Sequence, residues 1–148
     1  MTILYIDLDN FKFYNDTFGH DVGDLILKNI ASLLKRAAGP NGFAVRFGGD
    51  EFLIVLRSCD SQVGATIAEN ILKEICFHAG YHKDISEMLK RDITIPPEKI
   101  VSASIGIAIA PNVSSDEDIN NALKRADATL YKIKHSTKSD FMVAPYHI

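Results

Sequence analysis

The chain has 148 residues, of which 47% are hydrophobic, and its formal net charge is −3. This length and apolar content suit one domain, residues 1–148, and argue against disorder. The charge gives no general attraction to nucleic acid, and no apolar stretch approaches the roughly 20 residues of a membrane span. No signal peptide is evident either. We therefore expect a cytoplasmic location without membrane contact by this domain, or the cytoplasmic side of a membrane-anchored parent protein.

The first predicted element is an apolar strand that ends in acidic residues. Residues 2–7 have the composition of a strand, and Asp7 and Asp9 lie at its end. Because side chains alternate along a strand, these two carboxylates should point to the same side. A plainer interpretation is that Asp9 and Asn10 form a turn and an N-cap without any ligand role.

A helix and a hairpin follow the first strand. Apolar residues recur at intervals of three and four from Val22 to Ala37, which predicts an amphipathic helix, and the Gly-Pro-Asn-Gly segment at 39–42 ends it. Strand-like residues 43–46 and 52–56 then enclose a Gly-Gly-Asp-Glu turn. Carboxylates at a hairpin tip are hard oxygen ligands for a divalent cation, although an ordinary solvated turn has the same composition.

The second half of the chain predicts two more helices and two strands. One helical stripe consists of Val63, Ile67, Ile71 and Ile75. Residues 81–97 are polar and mixed, and we interpret them as an insertion-like excursion between elements. A β-branched strand at 100–110, an amphipathic helix at 116–134 and a short edge strand at 141–143 complete the pattern. Helices packed against a largely antiparallel sheet form an α+β sandwich.

The two acidic segments can form one site if their strands are neighbours. Asp7 and Asp9 end the first strand, while Asp50 and Glu51 open the second strand of the hairpin. Paired strands would bring these carboxylates towards one pair of metal ions. Two-metal sites hold their ions about 3.5–4 Å apart and clamp the attacking and leaving oxygens of a phosphoryl transfer.

These segments resemble the GGDEF domain, the catalytic domain of diguanylate cyclases. The matching blocks stand in the family's order and at close to its spacing, over nearly the whole chain: Asp7-Leu8-Asp9-Asn10-Phe11-Lys12, Asn15-Asp16, Gly19-His20, Gly23-Asp24, Leu27, Gly48-Gly49-Asp50-Glu51-Phe52, Ser104-Ile105-Gly106-Ile107-Ala108, Arg125-Ala126-Asp127-Ala128-Thr129-Leu130-Tyr131 and Lys134. The resemblance implies a palm-like, ferredoxin-related fold. It also implies condensation of two GTP molecules into cyclic di-GMP, with release of pyrophosphate, across a homodimer of half-sites.

A magnesium or manganese site is implied by the same resemblance. Asp7 and Asp50 supply its carboxylates, and the backbone carbonyl of Leu8 completes the set. The Asp50 carboxylate also helps to deprotonate the attacking 3′-hydroxyl group, and Glu51 is a further catalytic or metal partner. Such a reaction needs charge neutralisation and in-line positioning more than covalent help from the protein.

Contacts to the triphosphate are implied for a second group of residues. Lys12 and Lys134 neutralise phosphate oxygens, and backbone amides around Asn10, Phe11 and Lys12 cradle the terminal phosphates. The family's C-terminal block normally continues from the lysine as x-x-Gly-Arg-Asn. Here Lys138 supplies a charge where arginine is usual, without the planar fork of a guanidinium group.

Guanine selection is expected to rest on Asn15 and Asp24. A carboxylate matches the N1 and N2 donors of guanine, and an amide can satisfy the base from the other side. Without the resemblance, Asp24 would be interpreted as a first-turn helix acid favoured by the helix dipole. His20 is expected to be a structural loop residue before the helix.

Two departures from the family pattern lead to further expectations. The Arg-x-x-Asp inhibitory motif falls on Gly39 and Gly42, and Arg36 is out of register, so we expect no inhibitory site for the product. The family's initial Asp-x-Leu-Thr-x-Leu-x-Asn-Arg segment and the helix after it are missing, which should leave apolar sheet surface uncovered. We therefore expect a fragment of a longer protein with an upstream sensory or dimerising region.

The isolated chain has no heptad run that would form a dimerising coiled coil, so we expect it to be weakly active or inactive alone. Two other classes of function stay open. One is a catalytically silent GTP-binding regulatory module, and the other is a structural dimerisation domain that binds no GTP.

Overall fold

The computed structural model describes residues 1–146 and consists of a five-stranded sheet with helices packed on it. The strands are β1 (Thr2–Asp9), β2 (Gly42–Arg46), β3 (Glu51–Leu56), β4 (Ser102–Ile109) and β5 (Phe141–Val143). The helices are α1 (Phe11–Phe18), α2 (His20–Ala38), α3 (Ser61–Phe77), α4 (His82–Leu89) and α5 (Asp116–Lys134). The strand order is β2-β3-β1-β4-β5, with β4 and β5 parallel and the other neighbours antiparallel. The predicted α+β fold with a mainly antiparallel sheet is confirmed.

β1 lies at the centre of the sheet because both of its faces are apolar. Leu4, Ile6 and Leu8 pack into the core formed with α1, α2 and α3, whereas Ile3 and Tyr5 pack into the core formed with α5. A strand buried on both faces appears in the sequence as a continuous apolar run. The acidic residues that end this run therefore lie at the rim of the sheet.

α5 packs closely on β4 because β4 carries a glycine at the contact. A Cβ atom on Gly106 would lie 2.2 Å from the Ala126 carbonyl oxygen, so a larger residue would push the helix away from the sheet. Ala122 and Ala126 are fully buried on the facing side of the helix. This packing fixes the last turn of α5, from which Lys134 reaches the end of β1.

The segment between β1 and the hairpin forms two helices, whereas one was predicted. Residues 11–18 form α1, and Gly19, with a φ of +95°, alone separates it from α2. The interpretation of His20 as a loop residue is wrong, because α2 begins at this residue. Asp24 lies in the same helix, beyond its first turn. The predicted end of this helix is confirmed, since α2 ends at Ala38.

The predicted excursion at 81–97 contains α4 and three buried side chains, Tyr81, Ile85 and Ile93. A helix of eight residues with one buried position gives no periodic signal in the sequence. In α3 the buried positions are Gly64, Ala68, Ile71 and Ile75. Val63 is 39% exposed, so the predicted stripe is wrong at its N-terminal end.

Exposed apolar side chains lie on the edge strand β2 and just after it. Phe43, Val45 and Phe47 are 57%, 42% and 56% exposed, although exposed apolar residues usually occur singly. Within residues 1–146, no helix has both the length and the apolar character needed to cross a lipid bilayer.

Candidate active site

The ends of β1 and β3 bring the two acidic segments together. Antiparallel pairing sets Asp7 opposite Glu51, and the Leu8 amide donates to the Asp50 carbonyl oxygen at 3.1 Å. The condition that the two strands be neighbours is confirmed. Burial raises the pKa of Asp7 to about 6, with Asp50 and Glu51 adding to the effect and Lys134 opposing it. A carboxyl group perturbed by burial and by neighbouring acids is typical of functional sites.

Lys134 fills the space between the acidic side chains. Its ammonium group donates to the Leu8 carbonyl oxygen at 3.0 Å and to Asp9 Oδ1 at 2.6 Å, and it lies 3.5 Å from Asp7 Oδ1. Two of these three oxygens belong to the residues predicted to bind a metal, Asp7 and Leu8. Lys134, which was predicted to neutralise phosphate, thus lies among carboxylates and places a positive charge between them.

Asp9 is a buried carboxylate to which the sequence assigned no definite role. Its side chain is 2% exposed and accepts hydrogen bonds from Ser104 Oγ at 3.0 Å, Ser102 Oγ at 3.3 Å and the Ser139 amide at 3.0 Å, besides Lys134. A carboxylate with these partners has little capacity left for a metal ion. Asp9 therefore holds the surrounding segments together. The alternation of Ser102 and Ser104 on β4 was the signal that could have revealed this role.

Two further side chains support the hairpin, and the sequence assigned neither of them. The Tyr5 hydroxyl donates to the Glu51 carboxylate, and burial together with this bond raises the pKa of Tyr5 above its ordinary value, so the hydroxyl remains a donor. Arg46 donates to the carbonyl oxygens of Gly48 at 3.1 Å and Gly49 at 2.7 Å. These contacts restrain the turn that carries Asp50.

A cavity of about 340 Å³ opens beside the hairpin. It is lined by Phe11, Lys12, Asn15, His20, Asp24, Leu27, Arg46, Gly49 and Asp50. The structure thus brings together five of the predicted site residues, Phe11, Lys12, Asn15, Asp24 and Asp50. Their amide, carboxylate and ammonium groups offer a ligand both base-type hydrogen bonds and a positive charge.

The start of α1 adds backbone donors to this cavity. Asn10 adopts a left-handed conformation with φ of 67° and donates from its side chain to the carbonyl oxygens of Glu98 at 3.2 Å and Ile100 at 3.1 Å. The helix therefore begins directly after β1, at Phe11. First-turn amides such as those of Phe11 and Lys12 have no intrahelical acceptor, and helix N-termini attract anions.

Lys138 lies apart from the cavity that contains Asn15 and Asp24. It lines a separate cavity of about 500 Å³, together with Asp9 and Asn10, and its own backbone is left-handed with φ of 52°. Of the predicted phosphate-binding residues, Asn10, Lys134 and Lys138 do not line the hairpin cavity, and Lys138 lies on the Asp9 side of the strand end.

Gly42 stands where the inhibitory motif of the family has aspartate, and the structure leaves no space for a side chain at this position. A Cβ atom on Gly42 would lie 2.6 Å from the Val55 carbonyl oxygen, so this position has no room for aspartate. Arg36 pairs with Glu74 at 2.7 Å on the surface, between α2 and α3.

The oxygen atoms at the strand ends suit a magnesium ion held jointly with a nucleotide. Across residues 1–146, no three His, Cys, Asp or Glu side chains are grouped so that they could hold an ion by themselves. Magnesium usually binds one or two carboxylates together with substrate phosphates and water. The carboxylate of Asp7, the carbonyl of Leu8 and the neighbouring Asp50 are hard oxygen donors of this kind, and the Lys134 ammonium group contacts the first two of them.

Comparison with known proteins shows the family of the chain. The family model described as "Diguanylate cyclase, GGDEF domain" matches residues 1–140. Signaling protein YkoW of Bacillus subtilis is 33% identical over 99% of this chain and 17% of its own length. Diguanylate cyclase DgcP of Escherichia coli is 34% identical over 97% of this chain and 38% of its own length. The chain thus spans less than half of each of these curated relatives.

Solved structures show the same fold. The active GGEEF domain of a diguanylate cyclase from Vibrio cholerae superposes with a TM-score of 0.77 at 27% identity, over 99% of this chain and 83% of that one. The GGDEF domain of DgcB from Caulobacter crescentus, in complex with c-di-GMP, gives 0.76 at 32% identity, over 98% and 76%. The sequence blocks, the sheet and the acidic strand ends lead to one conclusion: the chain belongs to the GGDEF-domain family of diguanylate cyclases.

Proposed function

We propose that this chain is a diguanylate cyclase domain, which condenses two GTP molecules into cyclic di-GMP and releases pyrophosphate. One observation carries the proposal: the cavity that contains Asn15 and Asp24 ends at Asp50, beside the paired strand ends of Asp7 and Glu51. A nucleotide whose base lies between the helices would have its phosphates at the acids. The attacking 3′-hydroxyl of a second nucleotide must then approach from outside the domain.

Guanine is the base that these side chains recognise. The Asp24 carboxylate accepts from N1 and N2 of guanine, which adenine cannot offer in the same arrangement, and the Asn15 amide contacts the base from the other side. Sites built on hydrogen bonds reject an unmatched base strongly, because the mismatch leaves a buried polar group unpaired. Asp24 is therefore the main determinant of selectivity.

Asp7, the Leu8 carbonyl and Asp50 hold magnesium, or manganese, in this proposal. When bound, the metal neutralises charge on the phosphoryl group that is transferred. The amides of Asn10, Phe11 and Lys12 orient the terminal phosphates. Lys12 and Lys134 add positive charge, while Asp50 and Glu51 receive the proton of the attacking hydroxyl group.

Catalysis requires two copies of the domain. Each copy holds one GTP, and the product is symmetric, so two sites must face each other across a two-fold axis. Since the curated relatives are much longer than this chain, we propose that the full protein contains a further sensory or dimerising region. Use of GTP also fits a cytoplasmic location.

The test is incubation of the concentrated protein with GTP and magnesium, with the product identified by chromatography and mass. An Asp50→Ala variant is the control. Cyclic di-GMP that forms with the unsubstituted chain and disappears with the variant would support the cyclase and its acidic residue together. An absence of magnesium-dependent GTP binding would contradict the proposal and favour a structural dimerisation domain.

A catalytically silent GTP-binding module is the second candidate. It is favoured by the position of Lys138 outside the nucleotide cavity and by the contacts of Lys134 with the carboxylates. In the same experiment it predicts tight, magnesium-dependent GTP binding without product, even at protein concentrations that favour dimers.

A further inference from the structure

A glycine occupies a position in α2 that does not require one for backbone reasons. Gly23 is the fourth residue of the helix, is buried, and has ordinary helical geometry without a positive φ. Glycine within a helix is unfavourable relative to alanine, because it has more conformational freedom to lose on folding. The presence of glycine here must therefore be explained by what lies next to it.

The neighbour is the side chain of Asn15. A Cβ atom on Gly23 would lie 1.8 Å from Asn15 Oδ1, 2.9 Å from its Cγ and 3.4 Å from its Nδ2. These are the three nearest heavy atoms, and all belong to one carboxamide group. The Asn15 amide thus lies directly on the Cα of Gly23, in the space that any other residue would fill with its side chain.

Backbone hydrogen bonds hold Asn15 and Gly23 in this relation. The Gly19 amide donates to the Asn15 carbonyl oxygen at 3.0 Å, and the Gly23 amide donates to the Gly19 carbonyl oxygen at 3.2 Å. The two bonds tie the end of α1 to the start of α2. For the Asn15 carboxamide itself, no hydrogen-bond partner occurs among residues 1–146, and the group faces the hairpin cavity.

We propose that Gly23 is a positioning residue for guanine selectivity: it leaves the space in which the Asn15 amide is held against the base. This inference rests on the proposed function and deepens it. Gly23 itself touches no base atom and acts only through Asn15. A methyl group at position 23 turns the flexible amide out of its place, while the helix itself tolerates alanine well.

The test is a cycle of three variants: Gly23→Ala, Asn15→Ala and the double variant. Binding of GDP and ADP is measured by titration calorimetry, so that only the base differs and no condensation takes place. Gly23→Ala should lower the affinity for GDP roughly threefold to tenfold, as for one lost hydrogen bond, and leave that for ADP unchanged. Urea unfolding of each variant reports whether the fold is intact.

The double variant separates positioning from a general packing role. With Asn15 removed, the added methyl group has nothing to displace, so the double variant should match Asn15→Ala within about twofold. If Gly23→Ala keeps full GDP preference, or if its loss persists in the Asn15→Ala background, the inference is overturned while the proposed function stands. If the unsubstituted chain shows no preference for GDP over ADP, guanine recognition by Asn15 is wrong. The inference about Gly23 and the proposed function are then both contradicted.

Discussion

The cavity between α1 and α2 leaves the polar ends of Asn15 and Asp24 open to a ligand, whereas the acidic ends of β1 and β3 are already engaged by other side chains. In the cavity, the shape is determined by backbone packing, which includes the contact of the Asn15 amide with Gly23. At the strand ends, the positions of the carboxylates depend on a balance of charges that includes Lys134.

The contrast indicates how each region responds to change. A region whose shape is determined by packing should be insensitive to pH and to remote charges. Substitutions in that region should reduce base selectivity. A region set by charge balance should respond strongly to a single neutralised carboxylate and to pH. Single substitutions in each region test whether the two regions are separable.

Neutralising Asp7 should have the largest effect. Asp7→Asn removes one carboxylate from the proposed metal site, and we expect magnesium-dependent turnover to fall by more than about 100-fold, since even partners outside the ligand set change metal sites by 10- to 100-fold. Selectivity for GDP over ADP should remain. Pyrophosphate release and nucleotide titration measure the two quantities. Asp92→Asn, in an exposed segment, is the matched control, and a parallel loss of selectivity would refute the separation.

Removing the carboxylate of Asp24 should act on the other region. We expect Asp24→Ala to lower the preference for GDP over ADP by about 10- to 100-fold, because a hydrogen bond to a charged group is lost. The magnesium concentration that gives half-maximal GTP binding should stay the same. Asp21→Ala, an exposed acid in the first turn of the same helix, serves as the control. A shift in the magnesium requirement would show that the two regions are coupled.

The raised pKa of Asp7 has a consequence for stability. Its folded-state pKa is about 6, against an ordinary 3.8, so ionisation of Asp7 disfavours the folded state. The favourable contribution is complete below about pH 4 and is lost as the pH rises through 6. Without metal, the effect of Asp7→Asn on the free energy of unfolding should therefore be more stabilising at pH 8 than at pH 4. The difference between the two effects should be about 1 to 3 kcal/mol. Urea titrations at both pH values measure this, and an equal effect at the two would contradict it.

A surface charge outside both regions should matter least. The Arg36 and Glu74 side chains are 62% and 40% exposed, so Arg36→Gln should change the free energy of unfolding by less than about 1 kcal/mol. We also expect unchanged sensitivity of the reaction to added cyclic di-GMP, because Arg36 is engaged elsewhere. A loss of product inhibition in this variant would reveal an inhibitory site that the register of Gly39 and Gly42 does not provide.

Much of the fold could be predicted because its patterns are long and regular. The bounds of α5 agree with prediction and β4 lies within the predicted strand, since nineteen residues of amphipathic helix and a β-branched run leave little ambiguity. α4 could not be found, because a short helix with one buried residue has no period. α1 was hidden by its position directly after β1, where the left-handed Asn10 looks like an ordinary turn.

The parts of the candidate site that lie on a single strand could be predicted from the sequence. The contacts between side chains of distant segments could not. Alternation sets Asp7 and Asp9 on one side, and pairing with the hairpin follows from the topology. The saturation of Asp9 depends on serines of β4, which come from a distant part of the sequence. The engagement of Lys134 depends on how closely α5 packs on Gly106. Such relations arise only when distant segments meet.

The central position of β1 also bears on how the protein folds. β1 pairs with β3 on one edge and with β4, from the last third of the sequence, on the other, so its second edge stays uncovered until β4 has been made. Long-range pairing of this kind slows folding, because the loops must close before the contacts stabilise them. The amide of Leu8, bonded to Asp50, should then exchange its hydrogen only on global unfolding. The contacts of Asp9 with Ser104 and Lys134 at the end of β1 are thus made only after β4 and α5 have joined the sheet.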